Sequence, residues 1–140
     1  MSKHDLNLGR SFCVSLLLLV GCAGPITMNK IQHIEQDMTS DSLSSMVERK
    51  PTRVFTVVDP ENDLEYQVQI FPMQTGITTT TTYGKYMTYT QTYPVTRNYA
   101  FLFHEDSLLF WGFPHEYARS GEPFIRRFAP LIMEALEKGK

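Results

Sequence analysis

The chain has 140 residues, 42% of them hydrophobic, and a formal net charge of −2, which suits one domain with a single core. Its 13 lysines and arginines are scattered, and none of them forms the dense basic face that nucleic-acid binding requires. Nucleic acid is therefore not an expected partner.

The N-terminus has the features of a bacterial lipoprotein signal. Lys3 and Arg10 precede a mostly apolar stretch, residues 12–20, that is too short for the ~20 residues of a membrane-spanning helix. The Leu-Val-Gly-Cys sequence that follows resembles a lipobox, which in lipoproteins is cleaved before a cysteine that carries diacylglycerol. We therefore expect lipidation at Cys22. The alternatives are an ordinary signal peptide or a slightly apolar N-terminus.

This signal predicts the organisation of the whole chain. Residues 1–21 are expected to be a signal peptide, 22–28 a lipid-anchored tether of roughly 20 Å, and 29–140 a single domain. With Cys22 acylated and Cys13 removed, the mature domain would lack a disulfide. An alanine rather than an aspartate after Cys22 favours the bacterial outer membrane, with the domain on its periplasmic face.

Two helices and two strands are predicted in the first half of the domain. Apolar spacing predicts a short helix over 29–37, and Thr39 or Ser40 is the expected cap of a second helix that ends before Pro51. Strands are expected at 53–58 and at 64–71, joined by a turn of Asp, Pro and Asn residues. In the second strand polar residues alternate with apolar ones, which predicts one buried and one solvated face.

The second half predicts a hairpin and a helix. Residues 97–103 and 107–112 should pair around a tight turn, and residues 114–119 should form a surface turn. A C-terminal amphipathic helix should begin at Pro123, with either a kink or a fresh start near Pro130.

The element order indicates an α+β fold. We expect two short N-terminal helices and a C-terminal helix to pack on a small antiparallel sheet of three to four strands. All of the helices are expected on one face of that sheet.

Three stretches resemble the BamE (SmpA/OmlA) outer-membrane lipoprotein family. Residues 34–39 and the helix after them resemble its pattern I-x-x-G-M-T, with Asp37 in place of glycine. Residues 64–68 resemble its first strand, and 101–109 resemble its L-x-F-x-x-G-x-L hairpin. The resemblance implies a scaffold or adaptor in the envelope or in outer-membrane assembly, with an envelope protein as partner.

The segment 75–96 and the C-terminal helix match no pattern of that family that we can place. Ten of the 22 residues of the segment 75–96 are threonine and four are tyrosine. One hypothesis is a β-ribbon that serves as a partner-contact arm, in which Gly84-Lys85 forms a two-residue turn and Tyr83 pairs with Tyr86. The alternative is a mobile polar loop. The candidate contact residues are Tyr83, Tyr86, Tyr89 and Tyr93.

The sequence carries no pattern that predicts catalysis, a metal site or a cofactor. His33, His104 and His115 are too dispersed for metal-ligand spacing, and the acidic residues after His104 suit a solvated turn. We therefore expect a non-enzymatic scaffold or adaptor lipoprotein. The alternative is a periplasmic lipoprotein that binds a ligand or inhibits an enzyme. Trp111 and Phe113 are candidates to line its pocket, although aromatic residues on a sheet usually belong to the core.

Overall fold

In a computed structural model, residues 24–139 are described and form an α+β fold around one four-stranded antiparallel sheet. The strands follow one another in space as they do in sequence. They are β1 (Arg53–Val58), β2 (Glu65–Tyr83), β3 (Thr88–His104) and β4 (Ser107–Gly112). The helical segments are α1 (Met28–Ile31), α2 (Ser40–Val47), α3 (Pro114–Arg119), α4 (Pro123–Arg126) and α5 (Phe128–Lys138). The predicted fold class is confirmed.

The sheet is covered on both faces rather than on one. The C-terminal layer places Tyr117, Phe128 and Ile132 against even-numbered residues such as Val68 and Leu102. The N-terminal layer places other apolar residues against the opposite face, among them Ile26, Leu43, Val47, Phe71, Phe101 and Phe103. The expectation of helices on a single face was therefore wrong.

Gln69 explains that error. It belongs to the polar series expected to face water, yet it is only 6% exposed beneath the N-terminal layer. Its amide nitrogen donates to Gln67 Oε1 at 2.9 Å, and its own Oε1 has no hydrogen-bond partner within residues 24–139. The residues that follow on the same face, Phe71 and Met73, are fully buried. Gln67 and Gln69 therefore gave a polar pattern to a face of β2 that is otherwise apolar.

The first predicted helix is shorter than expected. Helix α1 ends at Ile31 rather than at residue 37, and Asp37 has a φ of 66° that no right-handed helix accommodates. Asp37 N–H donates to the Leu108 carbonyl, and Leu108 N–H donates to the Met38 carbonyl, both at 2.9 Å. This segment therefore covers the outer edge of β4. The cap of α2 is confirmed, because Thr39 Oγ1 accepts a hydrogen bond from Ser42 N–H.

Part of the expected tether belongs to the folded body. Ile26 is 1% exposed and forms a parallel bridge with Met73 on β2. Its N–H donates to the Pro72 carbonyl, and its carbonyl accepts from Gln74 N–H, both at 2.9 Å. Arg49 Nη1 also donates to the Gly24 carbonyl at 2.7 Å. The chain is therefore attached to the body from residue 24 onward.

Helix α3 occupies the segment expected to be a surface turn. Tyr117 is fully buried, and its hydroxyl donates to the Ala100 carbonyl at 2.8 Å. This burial raises the pKa of Tyr117 well above its usual value. The helix begins with Pro114 in its first turn. The Phe113 N–H also donates a hydrogen bond to Glu116 Oε2, which stabilises the start of the helix. One turn and a half is too short to show helical periodicity, so the turn prediction was wrong.

The C-terminal helix begins afresh near its internal proline. Helix α4 ends at Arg126 and α5 begins at Phe128, so Pro130 lies in the first turn of α5, where its missing N–H costs nothing. The alternative of a fresh start is confirmed. Arg53 on β1 stabilises the other end of α5, because its guanidinium donates to the carbonyls of Ala135 and Leu136 at 2.8 and 3.3 Å.

A buried ion pair joins the β1–β2 turn to the start of α5. The Asp59 carboxylate is fully buried and accepts from the Arg127 guanidinium at 2.6 and 3.2 Å. That hydrogen bond from Arg127 holds the pKa of Asp59 below its ordinary value of 3.8, although desolvation acts in the opposite direction. Arg127 also contacts the exposed Glu61 at 2.7 Å. The predicted turn between β1 and β2 therefore also connects the sheet to the C-terminal layer.

Candidate functional site

The segment rich in threonine and tyrosine extends past the sheet as a two-stranded ribbon, residues 76–95. Eight residue pairs, from Gly76 with Val95 to Tyr83 with Thr88, build it. At ~3.3 Å per residue it projects roughly 25 Å. Strand β1 stops pairing at Ile70 and β4 stops at Ala100, so within residues 24–139 no strand lies beside either edge of the ribbon.

Local sequence explains why this segment is extended. Threonine and tyrosine favour strands because their side chains suit a pleated surface, and every residue from 77 to 98 is exposed. A register shift between Gln74 and Gly76 marks the base of the ribbon, with Thr75 as the extra residue on β2. Because both faces of the ribbon are exposed, buried apolar area contributes little to its stability.

The turn at the tip is longer than predicted. Residues 84–87 form a four-residue loop closed by a hydrogen bond of 2.9 Å from Gly84 N–H to the Met87 carbonyl. Tyr83 therefore pairs with Thr88 rather than with Tyr86, and the register is displaced by two residues from the expected one. Gly84 does not adopt the positive φ that a two-residue turn would demand, so that turn prediction was wrong.

The four candidate tyrosines do not form one cluster. Tyr89 and Tyr93 lie on one face of β3, where their hydroxyls donate to Met87 Sδ and Gln91 Oε1 respectively. Tyr83 alternates onto the opposite face of the ribbon, and Tyr86 lies in the loop. The structure therefore provides an aromatic face with two tyrosines and a separate aromatic tip.

Charge is nearly absent from this surface. Lys85 is the only charged residue between 75 and 96. Its ammonium lies 5.4 Å from the centroid of the Tyr86 ring, within the range of a cation–π contact. Tyr83 and Tyr86 are 82% and 88% exposed. The ribbon can therefore offer hydroxyls, aromatic rings and unpaired backbone groups to a partner, but little electrostatic attraction.

The base of the ribbon lies beside the N-terminal segment. Ile26 bridges Met73, which is only three positions before Gly76. Cys22 itself is outside the described residues, and its lipidation remains a prediction. No helix within residues 24–139 combines the length and the apolar character needed to cross a membrane.

The acidic residues near His104 have a structural role. Glu105 and Asp106 adopt φ values of 48° and 60° in the β3–β4 turn. Asp106 Oδ1 accepts from the hydroxyl and the N–H of Ser40 at 2.6 and 3.0 Å, and these bonds lower the pKa of Asp106. Ser107 Oγ donates in turn to Asp37 Oδ1 at 2.9 Å. This reciprocal pair fixes the start of α2 on the hairpin.

The aromatic residues suggested as a ligand pocket contribute to the core and to a small depression. Trp111 and Phe113 are half-buried against the N-terminal layer. A depression of about 240 Å³ is lined by Gln36, Leu109, Phe110, Trp111 and Glu122. Pockets for drug-sized ligands usually enclose ~300–1,000 Å³. Within residues 24–139, no three histidine, cysteine or acidic side chains are grouped closely enough to hold a metal ion.

Comparison of this chain with models of protein families, with curated proteins and with solved structures gave no significant match.

Proposed function

We propose that this chain is a non-enzymatic, lipid-anchored lipoprotein of the bacterial outer membrane, which serves as a scaffold or adaptor in envelope or outer-membrane assembly. The lipobox and Cys22 support the anchor and its location. The ribbon supports the adaptor role. Both faces of the ribbon are exposed rather than packed on the body, and tyrosine forms interfaces at little cost in side-chain entropy.

Two backbone positions add support for the resemblance to the BamE family. The family patterns have glycine at the positions of Asp37 and Asp106, and both aspartates adopt left-handed φ values, 66° and 60°. Glycine favours this conformation, and aspartate tolerates it better than most residues. The backbone at both positions is therefore of the kind that the glycines of the family would favour.

Attachment of residue 24 to the body would bring the domain close to its membrane. Gly24 is two positions after Cys22 in the sequence, so a lipid on Cys22 would be attached within ~7 Å of Gly24. Diacylglycerol with a further acyl chain would make this attachment effectively permanent. The base of the ribbon would then lie near the membrane surface.

Photo-crosslinking in cells tests the adaptor role. A photoreactive phenylalanine analogue at Tyr93 should capture an envelope protein in stoichiometric amount, identified by mass spectrometry. The same analogue at Met133, a half-exposed residue on α5, is the matched control on the body. Replacing Tyr89 and Tyr86 with serine should lower the yield from Tyr93 about tenfold, if each ring contributes about as much as an average interface residue. Recovery of only lipids and abundant porins would refute the adaptor role.

A second experiment tests the anchor. Mass spectrometry of the membrane fraction should find Cys22 as the modified N-terminal residue. The Cys22→Ala variant should accumulate as a folded, soluble periplasmic protein. If that variant remains on the membrane, the body itself binds the bilayer, and an intact N-terminal methionine on the wild-type chain would contradict the lipoprotein assignment.

A further inference from the structure

The two long edges of the ribbon differ in protection. The β3 edge contains Pro94 and continues into Arg97, both of which discourage pairing with another strand. The β2 edge, Ile77–Tyr83, has no proline, glycine or charge in seven consecutive residues. Such a segment has the composition that favours strand addition. Every second residue along it directs its N–H and C=O away from β3, toward solvent.

The edge strands of the body, β1 and β4, are protected from pairing with another strand. Strand β1 is only six residues long, and Arg53 at its start is bonded to α5. The edge of β4 is covered at Leu108 by the Asp37–Met38 segment. The Ile77–Tyr83 edge thus lacks the devices that the rest of this sheet possesses.

We propose that the Ile77–Tyr83 edge pairs antiparallel with the same edge of a second copy of this chain, about a two-fold axis at Thr80. This inference rests on the proposed role of the ribbon as a contact surface, and it identifies the partner of one edge. Centred on Thr80, the pairing sets Thr79 opposite Thr81 of the second copy and Ile77 opposite Tyr83 of the second copy. Two threonines that face each other across neighbouring strands interact favourably, and so do an aromatic residue and a β-branched residue.

The sequence of this edge makes it self-complementary. Five threonines are flanked by an isoleucine at one end and a tyrosine at the other. Ile77 and Tyr83 lie on the same face and are 65% and 82% exposed, so pairing of the edges would bring each of them into contact with the other residue of the second copy. In this register Lys85 would lie opposite Thr75 of the second copy, and no like charges would meet.

The structure also limits the pairing to two copies. Ile26 occupies the β2 edge at Met73, so a paired strand can extend only to the base of the ribbon. A two-fold contact uses the same edge of both copies and closes on itself, so a dimer results rather than a fibre. Because two strands alone are marginally stable in water, four strands would also stabilise the ribbon.

The symmetry agrees with anchoring in one membrane. A two-fold axis that relates adjacent antiparallel strands is perpendicular to their sheet, so the N-terminal layers of both copies face the same side. Lipids on the two Cys22 residues could then enter the same bilayer. Confinement to a membrane would raise the effective concentration of one copy around another.

Disulfide trapping of the full-length lipoprotein in intact cells tests the register. Thr80→Cys should give a covalent dimer, because directly opposed Cβ atoms lie about 4.5–5.5 Å apart and a small shift allows a disulfide. Thr90→Cys is the matched control, since Thr90 is equally exposed in the ribbon but lies on β3. The wild-type chain reveals any disulfide formed through Cys22. Equal trapping at both positions, or none at Thr80, would overturn the proposal.

A charge on the edge tests the same contact without a covalent bond. Thr80→Lys would place two ammonium groups opposite each other, and we expect the dimer dissociation constant to rise at least tenfold. Thr90→Lys should leave it unchanged. Sedimentation of the full-length lipoprotein measures this constant. Detergent is kept in excess so that two lipid anchors do not share a micelle by chance, and circular dichroism confirms that each variant is folded. A wild-type monomer at tens of micromolar would overturn the dimer.

These results separate this inference from the proposed function. A monomeric wild-type chain whose Tyr93 still captures an envelope protein would refute the pairing and support the adaptor role. A dimer sensitive to Thr80→Lys, with no envelope protein captured, would support the pairing and refute the adaptor role.

Discussion

The body and the ribbon of this protein are built from the same two strands but are stabilised in different ways. In the body, β2 and β3 lie between two helical layers, and residues such as Phe71 and Leu102 are fully buried. In the ribbon, the same strands continue with both faces in solvent. Backbone pairing is common to both regions, whereas apolar burial is confined to the body. The length of a strand in this sheet therefore does not indicate how stable it is.

Replacing one tyrosine in each region should give the largest difference in stability between the body and the ribbon. Tyr117→Ala should lower the free energy of unfolding by about 3–5 kcal/mol, because it removes a buried ring and a hydrogen bond to Ala100. Tyr93→Ala, on the exposed ribbon, should change it by no more than ~0.5 kcal/mol. Urea denaturation measures both variants. Similar losses would mean that the ribbon is packed as firmly as the body.

Hydrogen exchange compares the two regions directly. Amides of residues 66–71 should exchange only through global unfolding, which for a domain of this size requires ~5–15 kcal/mol. Amides of residues 77–83 should exchange at least a hundredfold faster in a monomer such as Thr80→Lys. If the edges of two copies pair, the same amides should slow in the wild-type chain. Equal protection in both regions of the monomer would contradict the contrast.

Acid should weaken the body through its buried carboxylate. The pKa of Asp59 is lowered on folding, so its stabilising contribution is complete above its ordinary value of 3.8 and is lost as the pH falls through the lowered value. Denaturation at pH 7 and at pH 3 should therefore show a smaller pH dependence for Asp59→Asn than for the wild type. Some pH dependence should remain in the Asp59→Asn variant, because the pKa values of Asp106 and Glu134 are also lowered.

Glu61→Gln is the matched control for that measurement. Glu61 contacts the same arginine but is 65% exposed, so its replacement should lower the free energy of unfolding at pH 7 much less than Asp59→Asn does. An equal loss in both variants would assign the stabilising contact of Arg127 to the surface rather than to the buried pair.

A smaller loss of stability than that of Tyr117→Ala is expected at the contact between β1 and α5. Arg53→Ala should cost about 1–2 kcal/mol, since it removes two hydrogen bonds from a charged donor to the last carbonyls of the helix. Arg53→Lys should recover less than half of that loss, because an ammonium cannot reproduce the two-pronged geometry. Thermal unfolding distinguishes the two variants, and full recovery by lysine would reduce the contact to charge alone.

Periodicity made much of the body predictable from sequence. β1 was predicted with its observed ends, and α2 was predicted from its Thr39 cap and its apolar face. Local signals of this kind depend on neighbours in sequence, so they survive without knowledge of the fold. The strands of the β3–β4 hairpin were recognised for the same reason, and the early start of β3 agrees with the hypothesis of a ribbon rather than with that of a loop.

The errors arose where distant contacts decide the structure. Gln69 is polar but buried, because its neighbours on β2 require cover from the N-terminal layer. Tyr117 looked like a turn residue, because its acceptor Ala100 lies 17 positions away. The pairing of Ile26 with β2 had no sequence signal, since a single bridge has no period. The length of the ribbon was suspected, but its register depended on a loop that Gly84 and Met87 close.

The docking of Ile26 has a mechanical consequence. The Ile26 segment runs parallel to β2 at Met73, so a pull on residue 24 along the strand direction loads the two Ile26 backbone hydrogen bonds in shear, together with a buried side chain. There is no slack between residue 24 and the sheet that could absorb such a load. If Cys22 is held in a bilayer, tension that reaches residue 24 would pass through these two bonds to β2, and through β2 to the ribbon.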